Sequence, residues 1–88
     1  MTRPLRSTPP PERRAFGRTV REQRGRAGIS LVELSDFTRV DEGYLAAVER
    51  GDVEPTLRTM SRIAAGLEMP LSELVARWER QVSDRARG

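Results

Sequence analysis

The sequence predicts a compact all-α domain of five short helices, preceded by a flexible basic arm. Apolar residues recur three and four positions apart, and no segment shows the strict alternation that is typical of strands. Ser30, Asp41 and Thr56 have side chains that favour helix starts, and each precedes an apolar segment. Gly28 and Gly51 favour helix ends. A chain of 88 residues has room for a single domain of this kind.

The five helices can be placed in order from these signals. They are predicted at residues 12–27, 31–37, 42–50, 57–67 and 70–81. At the start of the second helix, Ser30 and Glu33 have the spacing of a capping box. The fourth helix has the clearest apolar face, which is formed by Leu57, Met60, Ile63, Ala64 and Leu67.

The chain divides into three parts. Residues 1–11 contain four prolines and are predicted to form a flexible arm. Residues 12–81 form the helical domain, and residues 82–88 form a disordered polar tail. Two interpretations of the arm remain open: it is an overhang without a role, or it is a basic tail that follows a groove of nucleic acid.

The composition excludes several classes of function. The chain has no cysteine and no histidine, which excludes the usual zinc sites and any catalytic group built on a thiol or an imidazole. Every basic residue is an arginine, so a Schiff-base or P-loop lysine is also excluded. No apolar run approaches the roughly 18 residues that a membrane-spanning helix needs. We therefore expect a cytoplasmic protein that is not an enzyme, with no cofactor, metal, membrane or small-molecule substrate.

Positive charge is concentrated at the front of the chain. Residues 1–28 carry eight arginines and two glutamates, a net charge of +6, whereas residues 29–68 carry four arginines and eight acidic residues, a net charge of −4. Residues 69–88 contribute the remaining +1 of the overall +3. Because guanidinium groups bind phosphate in a bidentate manner, this distribution predicts that a polyanion is bound mainly by the N-terminal residues 1–28.

Five segments carry a resemblance to a known family. They are residues 16–24 (FGRTVREQR), 29–35 (ISLVELS), 44–51 (YLAAVERG), 55–64 (PTLRTMSRIA) and 70–74 (PLSEL). Together they resemble the lambda-repressor-like (Xre/Cro) helix-turn-helix family, and the match covers roughly residues 16–76 without gaps. The resemblance implies that residues 12–81 form a five-helix domain that binds double-stranded DNA. It also implies a transcription regulator, either a repressor or a controller-like protein, that acts as a homodimer.

The resemblance further implies which residues meet DNA. The base-reading positions of the third helix, which enters the major groove, match Glu42, Gly43, Ala46 and Ala47. The phosphate-binding start of the second helix matches Ser30 and Leu31. Candidate phosphate contacts come from six arginines, namely Arg13, Arg14, Arg18, Arg39, Arg50 and Arg58. This chain departs from the family pattern, because no reading position carries the Arg, Gln or Asn that makes strong bidentate base contacts.

Two structural roles also follow from the resemblance. Arg24 and Glu49 are implied to form an ion pair that ties the first helix to the end of the third. The family usually has glycine at the position of Arg39, because the turn there needs a left-handed residue. Since that conformation costs a residue other than glycine about 1–2 kcal/mol, we expect the turn to differ locally.

Several alternatives remain open. The acidic start of the third helix, Asp41–Glu42, is either a solvated end stabilised by the helix dipole or a base reader, in which Glu42 accepts from a cytosine amino group. A second function is a protein-interaction module that has lost DNA reading and docks a protein partner through this acidic helix. Trp78 either covers the core or belongs to a candidate dimer contact formed by Leu71, Leu74, Val75 and Trp78.

Overall fold

The structure, a computed structural model, describes residues 9–87, and all regular secondary structure in that range is helical. The helices are α1 (Pro11–Ala27), α2 (Leu31–Thr38), α3 (Glu42–Arg50), α4 (Leu57–Gly66) and α5 (Leu71–Arg87). The predicted all-α class and the number of helices are confirmed. Most of the predicted arm lies in residues 1–8, outside the described residues. Between residues 9 and 87, no helix has both the length and the apolar character needed to cross a membrane.

Side-chain caps begin α2, α3 and α4 where the sequence predicts them. The Ser30 hydroxyl accepts from the Glu33 backbone N–H at 3.0 Å, and the Glu33 carboxylate accepts from the Ser30 N–H at 2.8 Å. Asp41 caps α3 and Thr56 caps α4 through similar side-chain bonds. Each cap satisfies an amide that the helix cannot, which is typically worth about 1 kcal/mol.

One core joins all five helices. Each helix contributes one large side chain with no solvent exposure, and these are Val20, Leu34, Leu45, Ile63 and Leu74. Full burial of such a side chain stabilises the folded state by about 1.5–3 kcal/mol. The short helices α2 and α3 therefore owe their stability to this shared core rather than to their own length.

The C-terminal part of α5 differs from the sequence-based expectation. The sequence predicts a disordered tail at residues 82–88, whereas α5 remains helical to Arg87. At Gln81, the last residue of the predicted helix, polar contacts join α5 to α1: Arg18 Nε donates to Gln81 Oε1 at 3.1 Å, and Gln81 Nε2 donates to Glu22 Oε1 at 2.8 Å. These bonds hold α5 against α1 at the point where the sequence predicts that the helix ends.

A close approach between α1 and α3 depends on Gly17. A Cβ atom at this position would collide with the carbonyl oxygens of Val48 and Glu49 and would lie 2.7 Å from the Glu49 carbonyl carbon. The obstacle is backbone, which cannot move aside as a flexible side chain can. Gly17 therefore sets the distance at which α3 packs on α1.

We expect Gly17→Ala to destabilise the protein, with Gly25→Ala as the matched control in the same helix. Overpacking typically costs about 1–3 kcal/mol and exceeds the gain in helix propensity of about 0.5–1 kcal/mol. A Cβ at Gly25 meets nothing within 4 Å, so Gly25→Ala should gain helix propensity without the cost of overpacking. Urea unfolding should therefore shift in opposite directions for the two variants. Equal stabilisation by both would contradict the close approach.

Candidate nucleic-acid interface

The turn between α2 and α3 contains a left-handed arginine. Arg39 has φ 60° and ψ 29°, and its backbone N–H donates to the Ser35 carbonyl at 2.8 Å. The expectation that a residue other than glycine would change the turn is therefore wrong. Arg39 adopts the left-handed conformation itself, and the surrounding fold bears its cost of about 1–2 kcal/mol.

Two hydroxyl groups hold this turn together. Ser35 Oγ donates to the Val40 carbonyl at 2.6 Å. The buried Thr38 Oγ1 donates to the Leu34 carbonyl at 2.8 Å and accepts from the Val40 N–H at 3.2 Å. These bonds support the left-handed bend and set the direction in which α3 begins. Neither residue is among the predicted site residues, although hydroxyl side chains beside a turn are a local signal for such bonds.

The first turn of α3 is open to solvent. Glu42 and Gly43 are exposed, while Ala46 and Ala47, one turn later, are half-buried. A Cβ at Gly43 would meet only the Asp41 carboxylate, at 3.1 Å. The four residues that match base-reading positions therefore combine one carboxylate with small side chains, and the backbone of α3 is approachable at Gly43.

The start of α2 offers backbone groups rather than a polar side chain. Leu31 is half-buried and packs against the core, whereas Ser30 is exposed and occupied by its capping box. The N–H groups of the first helical residues, Leu31 and Val32, have no acceptor within the helix. An anion that meets this end of α2 would therefore be bound by main-chain amides.

Three of the six candidate arginines lie exposed on the later helices and the turn. Arg39 lies in the turn, Arg50 ends α3 and Arg58 lies in the first turn of α4. Arg50 Nε pairs with Asp52 Oδ2 at 2.8 Å, and the two side chains are 62% and 48% exposed. Since such a surface pair is weak, Arg50 can exchange this partner for a phosphate at little cost.

The other three candidate arginines lie on α1 and are half-buried. Arg18 bonds to Gln81 of α5, and Arg13 lines a cavity beside Trp78. Arg14 packs next to Gly51, where a Cβ would lie 2.9 Å from the Arg14 Cα atom. The structure thus directs Arg13 and Arg18 towards α5, apart from the first turn of α3.

A largely buried ion pair connects α1 to the end of α3. Arg24 Nε donates to Glu49 Oε2 at 2.7 Å and Arg24 Nη2 donates to Glu49 Oε1 at 3.0 Å, a bidentate arrangement. Arg24 Nη1 also donates to the Ile29 carbonyl at 3.2 Å. The side chains are only 19% and 9% exposed. The hydrogen bonds to Glu49 raise the pKa of Arg24 above its usual value, although burial opposes them.

The candidate dimer contact on α5 does not form one surface. Leu74 is fully buried in the core, and therefore has no surface to offer a partner. Val75 and Trp78 are half-buried beside α1, and Trp78 Nε1 donates to the Glu12 carbonyl at 2.9 Å. Leu71 instead borders a shallow depression beside Leu57 on α4.

The geometry of α2, the turn and α3 is that of a helix-turn-helix motif inside a five-helix domain. A family model described as helix-turn-helix matches residues 20–74. The chain belongs to the lambda-repressor-like (Xre) helix-turn-helix family, and the resemblance found in the sequence is confirmed.

Named relatives agree with this assignment. The transcriptional regulator ClgR of Mycobacterium tuberculosis is 40% identical over an alignment of 75 positions, and the match covers 77% of this chain and 67% of ClgR. The clp gene regulator ClgR of Corynebacterium glutamicum has a similar crystal structure, with a TM-score of 0.82 and 27% identity over 89% of this chain and 83% of that one. The restriction-modification controller protein C.AhdI of Aeromonas hydrophila matches with a TM-score of 0.68 and 31% identity, over 69% and 92% of the two chains.

We expect Arg24→Ala and Glu49→Ala each to lower the free energy of unfolding by about 3–5 kcal/mol, because each leaves the opposite charge buried and unpaired. The double variant should lose much less than the sum of the two. Arg50→Ala is the matched control, since its exposed pair is worth about 0–1 kcal/mol. Urea denaturation of the four variants measures this coupling, and strictly additive losses would contradict it.

Proposed function

We propose that this protein is a sequence-specific DNA-binding regulator of transcription that presents α3 to the major groove. The observation that carries the proposal is the exposed first turn of α3, which is oriented at one end by the hydroxyl-bonded turn and at the other by the Arg24–Glu49 pair. The named relatives, a transcriptional regulator and a controller protein, support a regulatory role.

Phosphate contacts supply much of the affinity in this proposal. Arg39 and Arg58 are exposed, and Arg50 is held only by a surface pair. The free amides at the start of α2 add a neutral phosphate contact of the kind found at helix N-termini. These contacts set the register of the protein on the duplex without reading its sequence.

In this proposal the bases are contacted by the first two turns of α3, whose residues differ from those usual in the family. Glu42 is exposed and can accept from a cytosine amino group, while Ala46 and Ala47 can contact a thymine methyl group. Gly43 allows the backbone of α3 to approach the base edges closely. The sequence preference therefore depends on one acceptor and on close fit, in place of bidentate arginine or glutamine contacts.

The proposal includes a homodimer that acts in the cytoplasm as a repressor or controller-like regulator. A dimer of such domains reads two half-sites about 34–36 Å apart. An exposed apolar surface that suits a second copy lies on α4, where Leu57 is 66% exposed and shares a shallow depression with Ala65 and Leu71. In this arrangement Leu71 keeps its proposed dimer role, and Val75 and Trp78 lie beside α1.

Arg39→Gly is the most informative single test of DNA binding. The variant removes a guanidinium and also relieves the left-handed strain, so the protein should be at least as stable as the parent. If Arg39 contacts phosphate, duplex affinity falls and the slope of log K against log salt decreases by about 1. Fluorescence anisotropy with a labelled duplex at several salt concentrations measures both quantities.

Arg80→Ala provides the matched control for that experiment. Arg80 is an exposed arginine on α5, which packs mainly against α1 and α4, so its removal lowers the net charge equally without touching the proposed interface. Equal loss of affinity in both variants would show that only net charge matters. The proposal would be overturned if the parent protein did not bind duplex DNA at low salt, because affinity from phosphate contacts is strongest there.

A second candidate function has one observation in its favour. The exposed face of α3 begins with two carboxylates, those of Asp41 and Glu42, which repel phosphate. A domain with this surface suits a basic protein partner, and helix-turn-helix folds are not confined to DNA binding.

Glu42→Gln separates these two functions while the Asp41 cap stays intact. In a DNA-binding regulator the variant should bind random-sequence duplex more tightly at low salt, because one repulsive charge is removed. It should also discriminate less between duplexes that differ by a C·G pair. If the protein is an interaction module, neither the parent nor the Glu42→Gln variant should bind duplex DNA. Anisotropy titrations of the two proteins decide between these results.

A further inference from the structure

A cavity on the α1–α5 side of the domain is not used by the proposed function. It measures about 460 Å³ and lies where the first turns of α1, the middle of α5 and the α3–α4 loop meet. Its walls are apolar, and they include Phe16, Met60, Val75 and Trp78. Two carboxylate residues, Glu12 and Glu54, also line it and are exposed to solvent.

One residue that lines this cavity carries a buried donor without an acceptor. Within the described part of the chain, Arg13 Nε is buried and makes no hydrogen bond, although Arg13 lines the cavity. A buried donor without an acceptor typically costs about 1–3 kcal/mol, and more for a charged group. A ligand with a carbonyl oxygen would remove this cost. The cavity therefore suits a ligand with apolar groups, a hydrogen-bond acceptor and positive charge.

Residues 1–8 of the same chain (MTRPLRST) have these properties. Pro4 and Leu5 are apolar, Arg3 and Arg6 flank them with positive charge, and the backbone supplies carbonyl oxygens. A basic segment beside proline matches the recognition of proline-rich peptides by grooves lined with aromatic residues. Its charges also complement the two carboxylates that line the cavity.

The connection of this segment to α1 makes it the favoured occupant. Residues 1–8 join the described chain two residues before α1, whose first turn carries Glu12 and Arg13 of the cavity. A stretch of eight residues spans up to about 27 Å at roughly 3.3–3.6 Å per residue, which is ample for a return path. A short tether of this kind gives an effective concentration in the millimolar range, so even weak contacts hold it in place.

We propose that residues 1–8 bind in the α1–α5 cavity of their own chain. Pro4 and Leu5 contact the apolar walls, and the two neighbouring arginines lie beside the carboxylates. Arg13 Nε donates to a main-chain carbonyl of the bound segment. In this state Arg3 and Arg6 are held away from any polyanion, so the arm has two competing binding sites, one on its own domain and one on a nucleic acid.

Trp78 reports directly on occupancy, because it lines the cavity and is the only tryptophan in the sequence. In full-length protein without DNA, Leu5→Ser should shift Trp78 emission to longer wavelength and increase its quenching by acrylamide. Thr2→Ala is the matched control in the same segment and should leave both quantities unchanged. Deletion of residues 1–8 should reproduce the effect of Leu5→Ser, and a synthetic peptide of residues 1–8 at millimolar concentration should reverse it.

The outcomes separate this proposal from its rivals and from the proposed function. Emission that is unaffected by both Leu5→Ser and the deletion overturns the docking. An effect that appears only at high protein concentration also overturns it, because the cavity then takes the segment of a second copy. Because no DNA is present, neither result depends on whether the protein is a DNA-binding regulator.

Discussion

The position of α3 depends on the Arg24–Glu49 ion pair. Because both side chains are mostly buried, neither charge can be left alone, and the pair holds the end of α3 against α1. Gly17 permits the short distance between the two helices on which this geometry relies. The pair is thus a structural requirement for the candidate interface, to which neither residue was assigned.

The opposite end of α3 is restrained by different chemistry. There, the hydroxyls of Ser35 and Thr38 bond across the turn, and Arg39 takes the left-handed conformation that the bend requires. A short helix that is held at both ends exposes its first turn in a defined direction. Rigid placement of this kind is what a surface needs in order to recognise a shaped partner.

The sequence predicts local features well and distant contacts poorly. The capping box at Ser30 was predictable because its partners are three residues apart, and apolar spacing placed all five helices. By contrast, Arg18 bonds to Gln81, which is 63 residues away, and no local pattern indicates that it points towards α5. At Arg39 the local rule was known, but only the structure shows that the hydrogen bonds of Ser35 and Thr38 around the turn let the fold tolerate the cost.

The hydrogen bond from the Trp78 indole to the Glu12 carbonyl joins positions 66 residues apart. It brings the entry of the chain into α1 alongside the middle of α5, on the flank of the domain that these two helices form. A fluorescent tag or a fused protein attached before α1 would therefore emerge near that flank, leaving the α2–α3 surface unobstructed. This arrangement favours immobilising the protein through such a handle when its binding surface is assayed.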